Sequence, residues 1–99
     1  MRLSEKEINA IKVQKQSFFS QNAKVYLFGS RLDDAKKGGD IDLFIECDKS
    51  YNTFKNAIRF KTQLKRDIGD QKIDLVVKSF NEVDDRAIIT EARKAGVML

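Results

Sequence analysis

The sequence contains no histidine, no proline and no tryptophan, and its single cysteine is Cys47. The absence of histidine excludes Ser-His-Asp and Cys-His catalysis and leaves no imidazole ligand for zinc. A bound metal ion would therefore have oxygen ligands, which favours magnesium, manganese or calcium. One cysteine excludes an internal disulfide and is typical of a reducing compartment, so a cytoplasmic location is expected.

The sequence also lacks long hydrophobic runs. No stretch approaches the length of a membrane span, and the N-terminus lacks the hydrophobic segment of a signal peptide. The 99 residues, 41% hydrophobic and 34% charged, predict a single soluble domain over residues 1–99 with a modest core. The net charge of +4 permits an anionic ligand, although a solvated lysine-rich surface explains that charge equally well.

Hydrophobic periodicity predicts the element order α-β-β-α-β-α. Ser4 and Glu7 have the spacing of a capping box and begin a helix that runs to about Ser20. The other predicted elements are strands at 24–28, 40–46 and 72–78, a helix at 52–68, and a last helix from a Ser79/Glu82 cap to about Lys94. We predict an α/β (α+β) fold with a small mixed sheet, in which strands 1 and 2 are antiparallel, strands 2 and 3 are parallel, and the helices pack on one side.

Apolar residues in the two longer helices predict which sides face the core. In the first helix they are Ile8, Ile11, Phe18 and Phe19. In the second helix they are Phe54, Ala57, Ile58, Leu64 and Ile68.

Three carboxylates are expected to meet on one face of the sheet. Asp40 and Asp42 alternate with Ile41 and Leu43 and therefore point the same way. Asp74 has the same parity in the third strand, and the helix between the two strands is long enough for a parallel crossover. Like charges placed this close together repel each other, so the cluster predicts a bound divalent cation.

Gly29 and Ser30 end the first strand and begin the loop that leads to Asp40. Ser30 resembles the N-cap of a short helical turn, which would direct backbone N–H groups at an anion, and Gly29 would let the backbone approach it closely. Arg31 could add a charge-assisted contact to terminal phosphates. Each feature alone has an ordinary explanation, as a turn, an exposed sheet face or a salt-bridge partner. Their combination predicts a site for a phosphate chain and a metal ion.

The motif "FGS", followed by nine residues and "DIDLFI", with "KIDLVV" later, resembles the DNA polymerase beta-like nucleotidyltransferase superfamily. Within it, the chain resembles the minimal nucleotidyltransferases, the MNT group. The resemblance implies that Gly29 and Ser30 bind a nucleoside triphosphate, ATP being the expected donor. It also implies that Asp40 and Asp42 hold two magnesium ions, and that Asp74 completes the metal site and helps to deprotonate the attacking hydroxyl.

Larger members of the superfamily usually carry a helical acceptor-binding domain after this core, whereas the present chain ends at Leu99. Acceptor recognition is therefore expected from another chain, or the acceptor is itself a protein; in either case a separately encoded helical protein is the expected partner. The resemblance implies an antitoxin of a HEPN/MNT pair, which transfers AMP from ATP to a tyrosine of a HEPN ribonuclease. The alternatives are the catalytic subunit of a two-chain transferase for a small molecule, or a non-catalytic nucleotide-binding module that acts by contact. Membrane association is not expected. Direct nucleic-acid binding is not expected either, because the basic residues are scattered along the sequence. Homo-oligomerisation stays open.

Overall fold

The structure is a computed structural model, which describes residues 3–29, 40–81 and 96–99. Its regular elements in those ranges are helices α1 (Glu5–Phe19) and α2 (Phe54–Ile68), a 3₁₀ turn at Lys49–Tyr51, and strands β1 (Lys24–Phe28), β2 (Ile41–Cys47), β3 (Ile73–Ser79) and β4 (Val97–Met98). The predicted last helix and its Glu82 cap lie outside the described residues. Neither of the two described helices has the length and apolarity needed to cross a bilayer.

The capping box predicted for the first helix is confirmed. The Ser4 Oγ accepts a hydrogen bond from the Glu7 backbone N–H at 3.1 Å, and a Glu7 carboxylate oxygen accepts one from the Ser4 N–H at 3.0 Å. Ile11 and Phe19 of this helix are fully buried. The cap therefore fixes where α1 begins, and these two side chains fix which side of it faces the sheet.

The predicted sheet topology is also confirmed. The strand order is β3-β2-β1-β4, with β1 antiparallel to β2 and β2 parallel to β3. Strand β4, which pairs antiparallel with β1, was not predicted. It contains only two residues after Gly96, too few for an alternating pattern to be detected in the sequence.

Two of the residues predicted to face inward from α2 were assigned wrongly. Phe54 and Ile58 are 81% and 44% exposed, whereas Phe60, which was not predicted, is fully buried. Phe60 packs edge-to-face on Phe19, with ring centroids 5.6 Å apart. Leu64, one turn after Phe60, is buried as predicted. Contact with α1 therefore turns the Phe60 side of α2 inward and leaves Phe54 and Ile58 outside.

Alternation along β2 separates the core from the opposite face of the sheet. Ile41, Leu43 and Ile45 are fully buried and belong to the core that α1 and α2 cover. Asp42 lies between them in sequence, so its side chain points to the other face. The register of the parallel pair then places Asp74 of β3 beside Asp42 on that face.

Candidate active site

Asp42 and Asp74 form the centre of the candidate site. They are register partners on the parallel strands β2 and β3, and both lie on the face that α1 and α2 leave uncovered. Their carboxyl groups are close enough to interact directly, by charge and, when one of them is protonated, by a hydrogen bond. The structure therefore brings together two of the three carboxylates that the sequence predicted to meet.

The pKa of Asp42 is raised above the usual value of an aspartate. The largest cause is burial, followed by the negative charge of Asp74, the hydrogen bond to it, and the charge of Asp40. The Lys72 ammonium acts in the opposite direction and offsets only part of the rise. In the absence of a cation, ionising both carboxyl groups of the pair is therefore unfavourable.

Asp40 is placed differently from the other two carboxylates. It lies just before β2, and its Oδ2 is 3.7 Å from the Nζ of Lys72 in an ion pair that is open to solvent. Within residues 3–29, 40–81 and 96–99, no three acidic or cysteine side chains converge as they would around a metal ion. Lys72 was not singled out from the sequence, although its position two residues before Asp74 places both on one side of the strand.

The backbone of Gly29 lies directly against the Asp42 side chain. Gly29 follows β1 with φ at +80°, and its strand neighbour Phe28 is the register partner of Asp42. A Cβ on Gly29 would clash with Asp42 Oδ2 and lie 2.9 Å from its Cγ. Glycine is thus needed here for two separate reasons, its positive φ and its close approach to the carboxyl group. Ser30 and Arg31 lie outside the described residues, so their roles stay predictions.

Replacing Gly29 by alanine is expected to destabilise the protein more than the same change at Gly69. Gly69 also has a positive φ, at +97°, but a Cβ there would meet no atom within 4 Å. Gly69→Ala should therefore cost only the strain of a backbone conformation that favours glycine, about 1–3 kcal/mol. Gly29→Ala should cost about 1–3 kcal/mol more because of overpacking against Asp42. Chemical denaturation of both variants measures the difference.

Equal losses at the two glycines would contradict the close contact between Gly29 and Asp42. A second test uses the Asp42→Ala background, which removes the carboxyl group that the new Cβ would strike. In that background the extra loss at Gly29 should largely disappear, while the loss at Gly69 should not change.

The chemistry of the Asp42–Asp74 pair suits a divalent cation. Carboxylate oxygens are the ligands that magnesium prefers, and a cation would relieve the repulsion that raises the pKa of Asp42. The pair also lies beside a glycine whose backbone is accessible, as binding of a phosphate chain requires.

A family model described as "Polymerase beta, Nucleotidyltransferase" matches residues 8–99 of the chain. The match includes all six residues that the sequence predicted for the site. No curated protein matches the chain.

Proposed function

This chain belongs to the polymerase beta nucleotidyltransferase family, and we propose that it transfers AMP from ATP to a hydroxyl group of a helical partner protein. Nucleotidyltransferase activity in general follows from the family, whereas the donor, the acceptor and the partner are the proposal. The observation that carries it is the Asp42–Asp74 pair, held in register on parallel strands beside the backbone of Gly29.

We assign Asp40, Asp42 and Asp74 as the ligands of magnesium, with two ions expected. Bound magnesium would offset the charge of the phosphates and lower the pKa of the acceptor hydroxyl. The raised pKa of Asp42 supports this assignment, because a neighbouring positive charge would favour the ionised form of that carboxyl group. Asp40, ion-paired with Lys72 at the edge of the site, would have to exchange that partner for the metal.

In the proposed reaction the acceptor hydroxyl oxygen forms a bond to the α-phosphorus of ATP. The bond from that phosphorus to the pyrophosphate oxygen breaks, and pyrophosphate leaves with the electron pair. The hydroxyl proton passes to Asp74, which is the more exposed carboxyl group of the pair. Gly29, Ser30 and Arg31 would hold the phosphate chain, so the protein contributes positioning and charge, and no covalent enzyme intermediate is needed.

The proposed partner is an all-helical HEPN-type protein, with this chain as the antitoxin of the pair. The support is the motif spacing from "FGS" to "DIDLFI", which resembles the minimal nucleotidyltransferases. A neighbouring gene for a helical protein with an Arg-x-x-x-x-His motif would favour this assignment.

The test is the intact mass of the partner after incubation with this protein, magnesium and ATP. We expect one or more additions of AMP, located by fragmentation to a hydroxyl side chain of the partner. A partner that is inhibited but keeps its original mass would overturn the proposal in favour of action by contact. Adenylation of a small molecule instead of the partner would indicate the catalytic subunit of a two-chain transferase.

A further inference from the structure

The outer side of α2 exposes large apolar side chains that no element of the described chain covers. Phe54 is 81% exposed, and Ile58, one turn later, is 44% exposed. Next to them, between α1 and α2, lies a groove of about 320 Å³. We call this surface the α2 groove; it is lined by Phe18, Ile58, Arg59, Thr62, Gln63 and Arg66.

The same helix has a high net positive charge. Between Phe54 and Ile68 the sequence has five basic residues and one acidic residue, a net charge of +4, which equals the net charge of all 99 residues. The rest of the chain therefore has fourteen basic and fourteen acidic residues and is formally neutral. The helix that exposes the apolar side chains is therefore also strongly basic.

Arg59 and Arg66 at the groove have no acidic partner in the part of the chain that the structure describes. The ion pair between Lys72 and Asp40 involves neither arginine. The single acidic residue of α2, Asp67, accepts hydrogen bonds from Gln14 at 2.8 Å and from Gln63 at 3.4 Å. The arginines are therefore available to an acidic ligand from outside.

We propose that the α2 groove is the docking site for an amphipathic, acidic helical segment of another protein. The apolar side of such a segment would cover Phe54, Ile58 and Phe18, and its flanking carboxylates would pair with Arg59 and Arg66. A nucleic acid would satisfy the arginines, but it would leave Ile58 and the Phe18 side of the groove without an apolar partner. The combination of apolar lining and positive rim therefore favours protein.

The α2 groove and the candidate active site lie on opposite sides of the sheet. Helices α1 and α2 cover the core face, whereas Asp42 and Asp74 point to the other face. A segment docked on α2 would therefore leave the carboxylates open. The proposal does not depend on the proposed reaction, because docking requires neither nucleotide nor metal.

The test uses a synthetic helix of about 20 residues with leucine at i, i+3, i+4 and i+7 and glutamate on its other sides. Fluorescence anisotropy measures its binding to the whole protein without ATP or magnesium. The control peptide has lysine in place of glutamate. We expect the acidic peptide to bind at least about tenfold more tightly than the basic one, a difference that a few charge-assisted contacts supply.

Two pairs of variants locate the binding surface. Ile58→Ser and Arg59→Glu should each weaken binding about tenfold, because each removes an anchor of the groove. Their matched controls are Val13→Ser and Lys12→Glu, which make comparable changes, a branched apolar side chain to serine and a basic one to glutamate, at exposed positions of α1 that do not line the groove. The controls should bind the acidic peptide as wild type does. All four positions are exposed, and circular dichroism checks that each variant is folded.

Three results would overturn the proposal. The first is equal binding of the acidic and basic peptides, or no binding of either at millimolar concentration. The second is equal weakening by the groove variants and their controls. The third is single-stranded RNA that binds α2 more tightly than the acidic peptide does and loses affinity on Arg59→Glu, which would identify the surface as a nucleic-acid site.

Discussion

Without metal, the Asp42→Asn variant will melt at the wild-type temperature or above it, and with magnesium and ATP it will melt well below wild type. Burial and the charges of Asp74 and Asp40 disfavour ionisation of Asp42, so a neutral amide of nearly equal volume should cost nothing in the metal-free protein. A ligand at a hundred times its dissociation constant stabilises the folded state by about 2.7 kcal/mol. For a domain of this size that corresponds to a melting shift of about ten degrees or more.

Thermal scans of wild type and Asp42→Asn, with and without magnesium and ATP, measure this reversal. The matched control is Asp70→Asn, the same change at an exposed position just after α2. The control should gain the full shift on addition of magnesium and ATP, whereas Asp42→Asn should lose most of it. An Asp42→Asn variant that is markedly less stable than wild type without ligand would mean that Asp42 is a structural partner of a basic side chain.

The same argument predicts a pH dependence for the metal-free protein. The pKa of Asp42 is raised on folding, so its stabilising contribution is fully present below the unfolded value of about 3.9 and is lost as pH rises through the folded pKa. Acidification from neutral pH should therefore stabilise wild type relative to Asp42→Asn. Asp48 should have the opposite effect on stability. Hydrogen bonds from the Ser50 backbone and side chain lower its pKa, so its contribution to the stability of the folded protein is lost on acidification.

The second large effect concerns turnover. Asp42→Asn and Asp74→Asn should each reduce the rate of AMP transfer by about a hundredfold to a thousandfold, the loss seen when one electrostatic contact to a developing charge is removed. Asp42→Asn acts by weakening the metal site, and Asp74→Asn also removes the proposed proton acceptor. Single-turnover rates of transfer to the helical partner measure both losses, with Asp70→Asn as the control. Wild-type rates in either variant would exclude the carboxylate pair as the catalytic group.

The sheet and the carboxylate pair could be predicted because β-strand geometry leaves little freedom. Alternation from Asp40 to Glu46 fixes which side chains share a face, and a crossover helix between two strands requires them to be parallel. Once β2 and β3 are parallel neighbours, only a small range of registers keeps Ile73 in the core, and those registers bring Asp74 next to Asp42. The pattern of the strands thus contained most of the site.

The rotation of α2 could not be predicted in the same way. At 100° per residue its apolar residues spread over an arc of about 160°, with Phe60 at one edge and Ile58 at the other, so periodicity alone does not decide which part of that arc faces inward. The choice is made by Phe19 of α1, which packs against Phe60 and not against Phe54 or Ile58. The contact between Gly29 and Asp42 and the pairing of Asp40 with Lys72 likewise depend on positions in space that no local pattern specifies.

The most direct test of nucleotidyl transfer by this site follows the label from two forms of ATP. One form carries the radioactive label in the α-phosphate and the other in the γ-phosphate, and each is incubated with the protein, magnesium and the helical partner. The account predicts that the partner acquires the α label and that the γ label is released as pyrophosphate, and that both events are about a hundredfold or more slower in Asp42→Asn. Transfer of the γ label to the partner, or α-label transfer that persists undiminished in Asp42→Asn, would contradict it.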